Sequence, residues 1–466
     1  MSFSSPGFVF AFLPAFFVLY FLIPHWMRNG FLMFASLAFY SADGGYVTLV
    51  LIGSIIGNHI IGKWIERTKE TRARLWILAL GVVGNLVPLL YCKYFGFFLH
   101  MVSDVGVATP NPASFPFLAV LPAGISFFTF QGLSYIVDIY RRETKPAPTG
   151  VDFGMYHSLF PQLIAGPIVR YREVEDRIVH RPVSADDVEY GIIRFCTGLA
   201  KKIILADNMG VVADRIFSLG PAELSMTAAW VGIAAYTLQI FFDFSGYSDM
   251  AIGLGRALGF RFPENFDQPY RSLSITEFWR RWHMTLSRWF RDYVYIPLGG
   301  NRTGPFRTYA NLFIVFVLCG LWHGAAYTFL IWGVYHGALL VIERVNRSAI
   351  GISVPPVLSW PITLLLVMIG WVFFRATDMA HAVQFLRAMA GFSVPNASFN
   401  LAAFVTPDKL FFFIAAAGLS LWPASFVGIG AGMTRVAQQM AALVIFVYAM
   451  SLIATNGFNP FIYFRF

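Results

Sequence analysis

The residue best placed for chemistry is His323, in the run Cys319-Gly-Leu-Trp-His323-Gly-Ala-Ala-Tyr327 at the junction of two apolar stretches. No charged residue stands between Arg307 and Glu343 on either side of it. A charged side chain at bilayer depth costs roughly 2.5–3.5 kcal/mol on insertion scales, so polar groups retained there call for an explanation. An imidazole, with an ordinary pKa of about 6.5, can take a proton from a hydroxyl or thiol and return it to a leaving group. A structural histidine bonded to a backbone carbonyl fits the same position, and location alone does not choose between the two.

His283 lies in a stretch where Ile275, Phe278, Trp279, Trp282, Leu286, Trp289 and Tyr293 recur at three- and four-residue steps. That spacing predicts one amphipathic helix with His283 at the edge of its aromatic face, facing either a cavity or solvent. His336, thirteen residues after His323, falls on a different helical face and reads as a packing residue. Asp243 and Asp249 flank an expected break between apolar runs, where they could pair with Arg256 or cap a helix. Gly53 and Gly57 form a GxxxG pair suited to close helix packing. Gly253, Gly255 and Gly259 resemble a nucleotide fingerprint only superficially, because the third glycine is misplaced and no βαβ unit surrounds them. Cys92, Cys196 and Cys319 are scattered without CxxC spacing, which predicts reduced thiols and no disulfide. There is no HExxH or HxxxH zinc motif, GxSxG elbow or P-loop, so no metal site is expected and the usual signs of a metallohydrolase, serine hydrolase or ATP-driven pump are missing.

The elements that must position these residues are membrane helices. Hydrophobic residues make up 57% of the chain and charged ones 13%, with a mean hydropathy of +0.62, which excludes an ordinary soluble enzyme. Apolar spans are expected at Phe8 to Ile23, Phe31 to Tyr40, Val47 to Ile61, Leu75 to Tyr91, Phe115 to Ile139, Tyr190 to Leu205, Ala228 to Phe242, Ala310 to Leu321, Tyr327 to Ile342, Ile362 to Phe374, Phe411 to Trp422 and Met440 to Ile453. Several are shorter than the roughly 20 residues of a full crossing and must be tilted, extended or re-entrant. The expectation is an all-α polytopic membrane protein, with about 11–12 membrane helices plus short re-entrant and amphipathic ones, forming a single domain over residues 1–466.

The net charge of +9 does not point to nucleic acid, because Lys and Arg cluster in short loops between apolar runs, where the positive-inside rule puts them. The loop Lys63 to Arg74 holds five basic residues and reads as cytoplasmic, whereas Met101 to Ser114 holds none and reads as external, so the N-terminus is placed outside. No cationic side chain precedes His25, so the first apolar run is expected to stay as a membrane helix rather than a cleaved signal. Arg256 to Arg307 is the largest polar block, with nine arginines and four acids, and suits the cytoplasmic membrane surface or the roof of a cavity.

Seven runs together resemble the membrane-bound O-acyltransferase (MBOAT) family, and within it the bacterial alginate O-acetyltransferase branch. They are Gly124-Ile-Ser-Phe-Phe-Thr-Phe-Gln131, Pro161-Gln-Leu-Ile-Ala-Gly-Pro167, Phe242-Asp-Phe-Ser-Gly-Tyr-Ser-Asp249, Pro263-Glu-Asn-Phe266, Phe278-Trp-Arg-Arg-Trp-His-Met-Thr-Leu-Ser287, Tyr295-Ile-Pro-Leu-Gly-Gly-Asn301 and Leu321-Trp-His-Gly324. The ending from Asn459 to Phe466 is also similar. The resemblance implies helices ringed around a central tunnel, His323 as the catalytic residue and His283 as a second active-site candidate. It further implies an acyl thioester such as acetyl-coenzyme A as donor substrate, with no bound cofactor. Arg280 and Arg281, with Trp282 and Trp322 beside the histidines, are the candidate donor-binding residues, although lipid headgroup contact or topology charge is the simpler account of the arginines.

The activity so implied is transfer of an acetyl group from a cytoplasmic donor across the bacterial inner membrane, through a periplasmic acyltransferase partner, to an exopolysaccharide such as alginate, or to acetylated cellulose or peptidoglycan. Two alternatives stand beside it. One is transfer of D-alanyl groups to a cell-wall polymer. The other is a transporter or flippase, which paired broken helices and internal symmetry would support, though no such symmetry is visible.

Overall fold

The computed structural model describes residues 3–111, 114–115, 121–302, 304–393, 401–422, 434–457 and 459–462. Among these every regular element is helical, and the chain is an all-α polytopic membrane protein. Seven helices among the described residues are long and apolar enough to cross a membrane: Gly45–Arg67, Thr71–Asp104, Met226–Ala257, Pro305–His323, Tyr327–Ile350, Pro356–Arg375 and Arg435–Thr455. Leu443, Val444 and Val447 on the last of these are more than half exposed, an apolar surface suited to hydrocarbon. The expected spans fall on helices. Residues 116–120 of the stretch Phe115 to Ile139 lie outside the described residues, and the helix there is Ile125–Arg141.

The chain forms two compact units. One comprises Met1–Phe195 and Met250–Pro263, the other Cys196–Asp249 and Glu264–Phe466.

In the first unit, helix Thr48–Arg67 turns Leu51, Ile55, Asn58, Gly62 and Ile65 inward, a face repeating every three to four residues. A Cβ on Gly62 would lie 2.9 Å from both Tyr135 and Ile139, so this is where the helix meets its neighbour closely. The expected GxxxG contact is not made. Gly53 and Gly57 lie off the inward face, and a Cβ on either would meet nothing within 4 Å. Polar groups at this depth pair with one another. Asn58 and Asn85 exchange amide hydrogen bonds of 2.9 and 2.7 Å, and Ser54 Oγ lies 2.9 Å from His157 Nε2.

In the second unit, Pro305–His323 and Tyr327–Val345 form a tight helical hairpin. A Cβ on Gly320 would come within 2.4 Å of the Phe329 carbonyl oxygen, and one on Gly333 within 2.5 Å of that of Phe316. Small residues on both faces therefore let the two backbones touch, as membrane helices do where packing rather than hydrophobicity drives association.

Two further expectations fail locally. Asp243 and Asp249 do not flank a break, because helix Met226–Ala257 runs through both of them. Neither pairs with Arg256, which binds Asp187 at 2.6 Å. Their partners are Lys202, 2.7 Å from Asp243, and Lys201, 2.6 Å from Asp249. Buried carboxylates at this depth can be kept only with cations in contact, and those lysines lie some forty residues earlier, invisible to local spacing.

The second failure is the single amphipathic helix. It is two short helices, Ile275–Arg281 and Met284–Phe290, broken at Trp282 and His283. The apolar periodicity survives the break, since Ile275, Phe278, Trp279, Trp282, Leu286 and Trp289 are all buried.

Candidate active site

The break between the two short helices builds the site. His283 adopts a left-handed backbone conformation, φ 44° and ψ 52°, one of three non-glycine residues with positive φ among those described. Such a conformation costs of order 1–3 kcal/mol for a residue with a Cβ and persists only where its surroundings impose it. The segment following helix Met226–Ala257 imposes it here. Asp267 N–H donates to the Arg281 carbonyl and Met284 N–H to the Asn265 carbonyl, each at 2.9 Å, so the strand-like segment is laced to both sides of the turn.

Asn265, in the Pro263-Glu-Asn-Phe266 run, does more than lace the backbone. Its Oδ1 accepts from the Thr285 N–H at 3.2 Å and from the Thr285 hydroxyl at 2.8 Å, capping the second short helix. Its Nδ2 donates to Ser248 Oγ at 3.1 Å; the Thr285 N–H, which can only donate, fixes the oxygen end of the amide at Thr285. The same Oδ1 lies 3.1 Å from His283 Nδ1. An oxygen that already accepts twice can only accept again, so Nδ1 carries the proton and Nε2 carries the lone pair. Among the described residues that Nε2 has no hydrogen-bond partner, although His283 is completely buried. Burial holds the imidazole neutral, with its pKa pushed down to about 3.

His323 closes helix Pro305–His323 and is 4% exposed. Trp332 and Phe374 each present to it an approximately perpendicular ring at 5.1 Å. The next residue is held by contact: a Cβ on Gly324 would fall 2.1 Å from the Phe329 ring. Trp322 connects the two histidines, its ring 4.8 Å from that of His323 and 6.1 Å from that of His283. The structure therefore brings together both histidines named from the sequence, on either side of one indole.

The remaining candidates separate. Trp282 is buried in an aromatic wall, 4.9 Å from Trp371 and 5.1 Å from Phe266. Arg281 is bound to Glu277 at 2.9 Å and Asp267 at 3.1 Å, where it holds the turn together. Arg280 points outward and is exposed. His336 is buried among aromatic rings, its ring steeply inclined to Trp279 at 5.1 Å and to Trp332 at 5.0 Å, in surroundings that fit a packing residue.

Asn265 is the site contact that received no role of its own from the sequence: it stands in the Pro263-Glu-Asn-Phe266 run of the family resemblance, but an asparagine between an acid and an aromatic reads locally as an ordinary turn.

Chemically, the arrangement offers two imidazoles in a buried aromatic enclosure, one of them with a lone pair able to accept a hydrogen bond from a hydroxyl. Residues 141–377 match the family described as MBOAT, membrane-bound O-acyltransferase family. The chain is 45% identical to the probable alginate O-acetylase AlgI of Pseudomonas aeruginosa, over 84% of this chain and 75% of that protein. To the probable alginate O-acetylase AlgI of Pseudomonas putida it is 40% identical over 100% of both. It is also 37% identical to the peptidoglycan O-acetyltransferase of Helicobacter pylori, over 84% of this chain and 80% of that one.

Proposed function

The chain belongs to the membrane-bound O-acyltransferase family and is an O-acyltransferase, and from that premise we propose that it passes acetyl groups from a cytoplasmic thioester donor, acetyl-coenzyme A or a similar acyl thioester, across the bacterial inner membrane towards an exopolysaccharide such as alginate. A periplasmic acyltransferase partner completes the transfer to the polymer. The donor is a substrate, and no resident cofactor is invoked.

The observation that carries this reading is the convergence of His283 and His323 on Trp322 inside a buried aromatic enclosure. His323 acts as general base. It takes the proton of the acceptor hydroxyl as that oxygen attacks the thioester carbonyl; the carbon–sulfur bond then breaks and the proton passes to the departing thiolate. General base catalysis of this kind contributes about 10²–10⁴-fold. His283 orients the acceptor. With its lone pair on Nε2 it can receive a hydrogen bond from a second donor of the acceptor, the attacking hydroxyl's one proton going to His323, but it cannot donate one to the donor carbonyl, so it serves the nucleophile rather than the electrophile. Burial favours both roles, since water that would hydrolyse the thioester is excluded.

The test is the acetyl content of the cell's exopolysaccharide in strains carrying wild type, His323→Ala or His283→Ala, with membrane levels of each protein measured in parallel. Acetylation lost in the His323 variant at normal protein level is the expected result. Unchanged acetylation would mean that the cargo is another acyl group, D-alanyl foremost, or that His323 is structural.

A further inference from the structure

Behind the histidine pair lies a charge cluster that the transfer chemistry does not use. Helix 185–217 widens into a π-helical turn at Lys201–Ala206, a local expansion that is frequent at functional positions. This turn carries Lys202, 3% exposed, whose Nζ lies 2.7 Å from a carboxylate oxygen of Asp243 and 2.7 Å from one of Asp207. One cation between two acids is an arrangement that stability alone does not favour at this depth, since apolar residues of the same volume would avoid the desolvation.

The second oxygen of Asp243 is engaged elsewhere: it accepts the backbone N–H of Ile462 at 2.8 Å. Asn459 Nδ2 reaches Asp207 at 3.5 Å. The described C-terminal residues 459–462 are thus tied to the cluster at two points. Between these ties sits Phe461, 1% exposed, with its ring 4.6 Å from Tyr247 and 6.1 Å from Phe244. Phe244 in turn meets the His283 ring edge-on at 4.7 Å.

We propose that Asp243 and Lys202 are positioning residues, which pin the C-terminal segment at Ile462 so that Phe461 braces Phe244 and, through it, the ring of His283. The proposal rests on the acyltransferase reading only for its effect on activity; the pinning itself is independent of it. Lys202 holds the Asp243 side chain in place, and that side chain's second oxygen accepts a hydrogen bond from a backbone donor that no side-chain substitution at position 462 except proline can remove.

The first experiment uses the full chain with Cys92, Cys196 and Cys319 changed to alanine and a single Ile462→Cys, treated in membranes with a permeant maleimide. Ile462 is 4% exposed, so labelling is slow when the segment is pinned. Asp243→Ala is expected to speed labelling by about tenfold or more, as is Lys202→Met, since breaking one partner of a buried pair strands the other. An unchanged rate overturns the proposal whether or not the protein transfers acetyl groups.

The second experiment is a double-mutant cycle on acetyl transfer with Asp243→Ala and Phe461→Ala. Each alone is expected to lower activity by about tenfold, and the double variant no further, because both act through one brace. Losses that multiply overturn the coupling to His283. Absence of transfer in the wild type would sink the acyltransferase reading and leave the labelling result to stand on its own.

Discussion

Asn265 and His283 meet at 3.1 Å, side-chain oxygen to Nδ1, across a chain turn that forces the histidine into a left-handed conformation. This contact decides which nitrogen bears the proton. With it go a left-handed backbone, complete burial and an Nε2 lone pair that has no hydrogen-bond partner among the described residues.

Replacing Asn265 therefore has a larger effect than loss of one hydrogen bond. Asn265→Ala removes the acceptor of both Thr285 donors and frees the His283 tautomer, and transfer is expected to fall by about 10²-fold, close to the loss in His283→Ala. Asn265→Asp keeps the accepting oxygen and should retain more activity than alanine. Acetyl transfer by the three variants in membranes, normalised to protein level, checks the order.

Gly324→Ala tests how His323 is held. The added Cβ would lie 2.1 Å from the Phe329 ring, so the hairpin must open at its His323 end. Overpacking of this kind costs about 1–3 kcal/mol. The thermal midpoint in detergent is expected to drop and activity with it, while Phe329→Leu in the same chain returns part of both by clearing the clash.

His283 also confers a pH dependence on stability. Its pKa of about 3 in the folded protein lies below the ordinary 6.5, so the unfolded chain takes up a proton that the folded one refuses as pH falls. The stability it contributes is fully present above about pH 6.5 and is lost progressively towards about pH 3. In His283→Gln that part of the decline is expected to flatten, as read from thermal midpoints measured across this range.

The two arginines separate in a donor-binding assay. Arg281 is committed to Glu277 and Asp267, whereas Arg280 is exposed. Arg280→Glu is expected to raise the donor KM with the fold intact, and Arg281→Glu to lower the thermal midpoint first. An unchanged donor KM in a folded Arg280→Glu, Arg281→Glu double variant would remove both from the donor site.

The hydrophobic composition and the apolar runs were enough to establish a helical membrane protein, and the isolation of His323 from every charge to make it the leading candidate. Those features are local: a helix needs only its own apolar residues to be read, and an uncharged neighbourhood is visible in a line of text. The aromatic periodicity from Ile275 to Trp289 likewise identified which side chains are buried.

Tertiary structure decided what they are buried against. A strict helical spacing said nothing of the kink at His283, because the force that makes it comes from Asn265 and Asp267 on another segment. It could not pair Asp243 with Lys202 or with the backbone of Ile462, which lies 219 residues away. Nor could it bring Trp322 between the two histidines. Periodicity reports the face a residue presents, whereas proton placement, ion pairing and the geometry of a site depend on what the folded chain carries to that face.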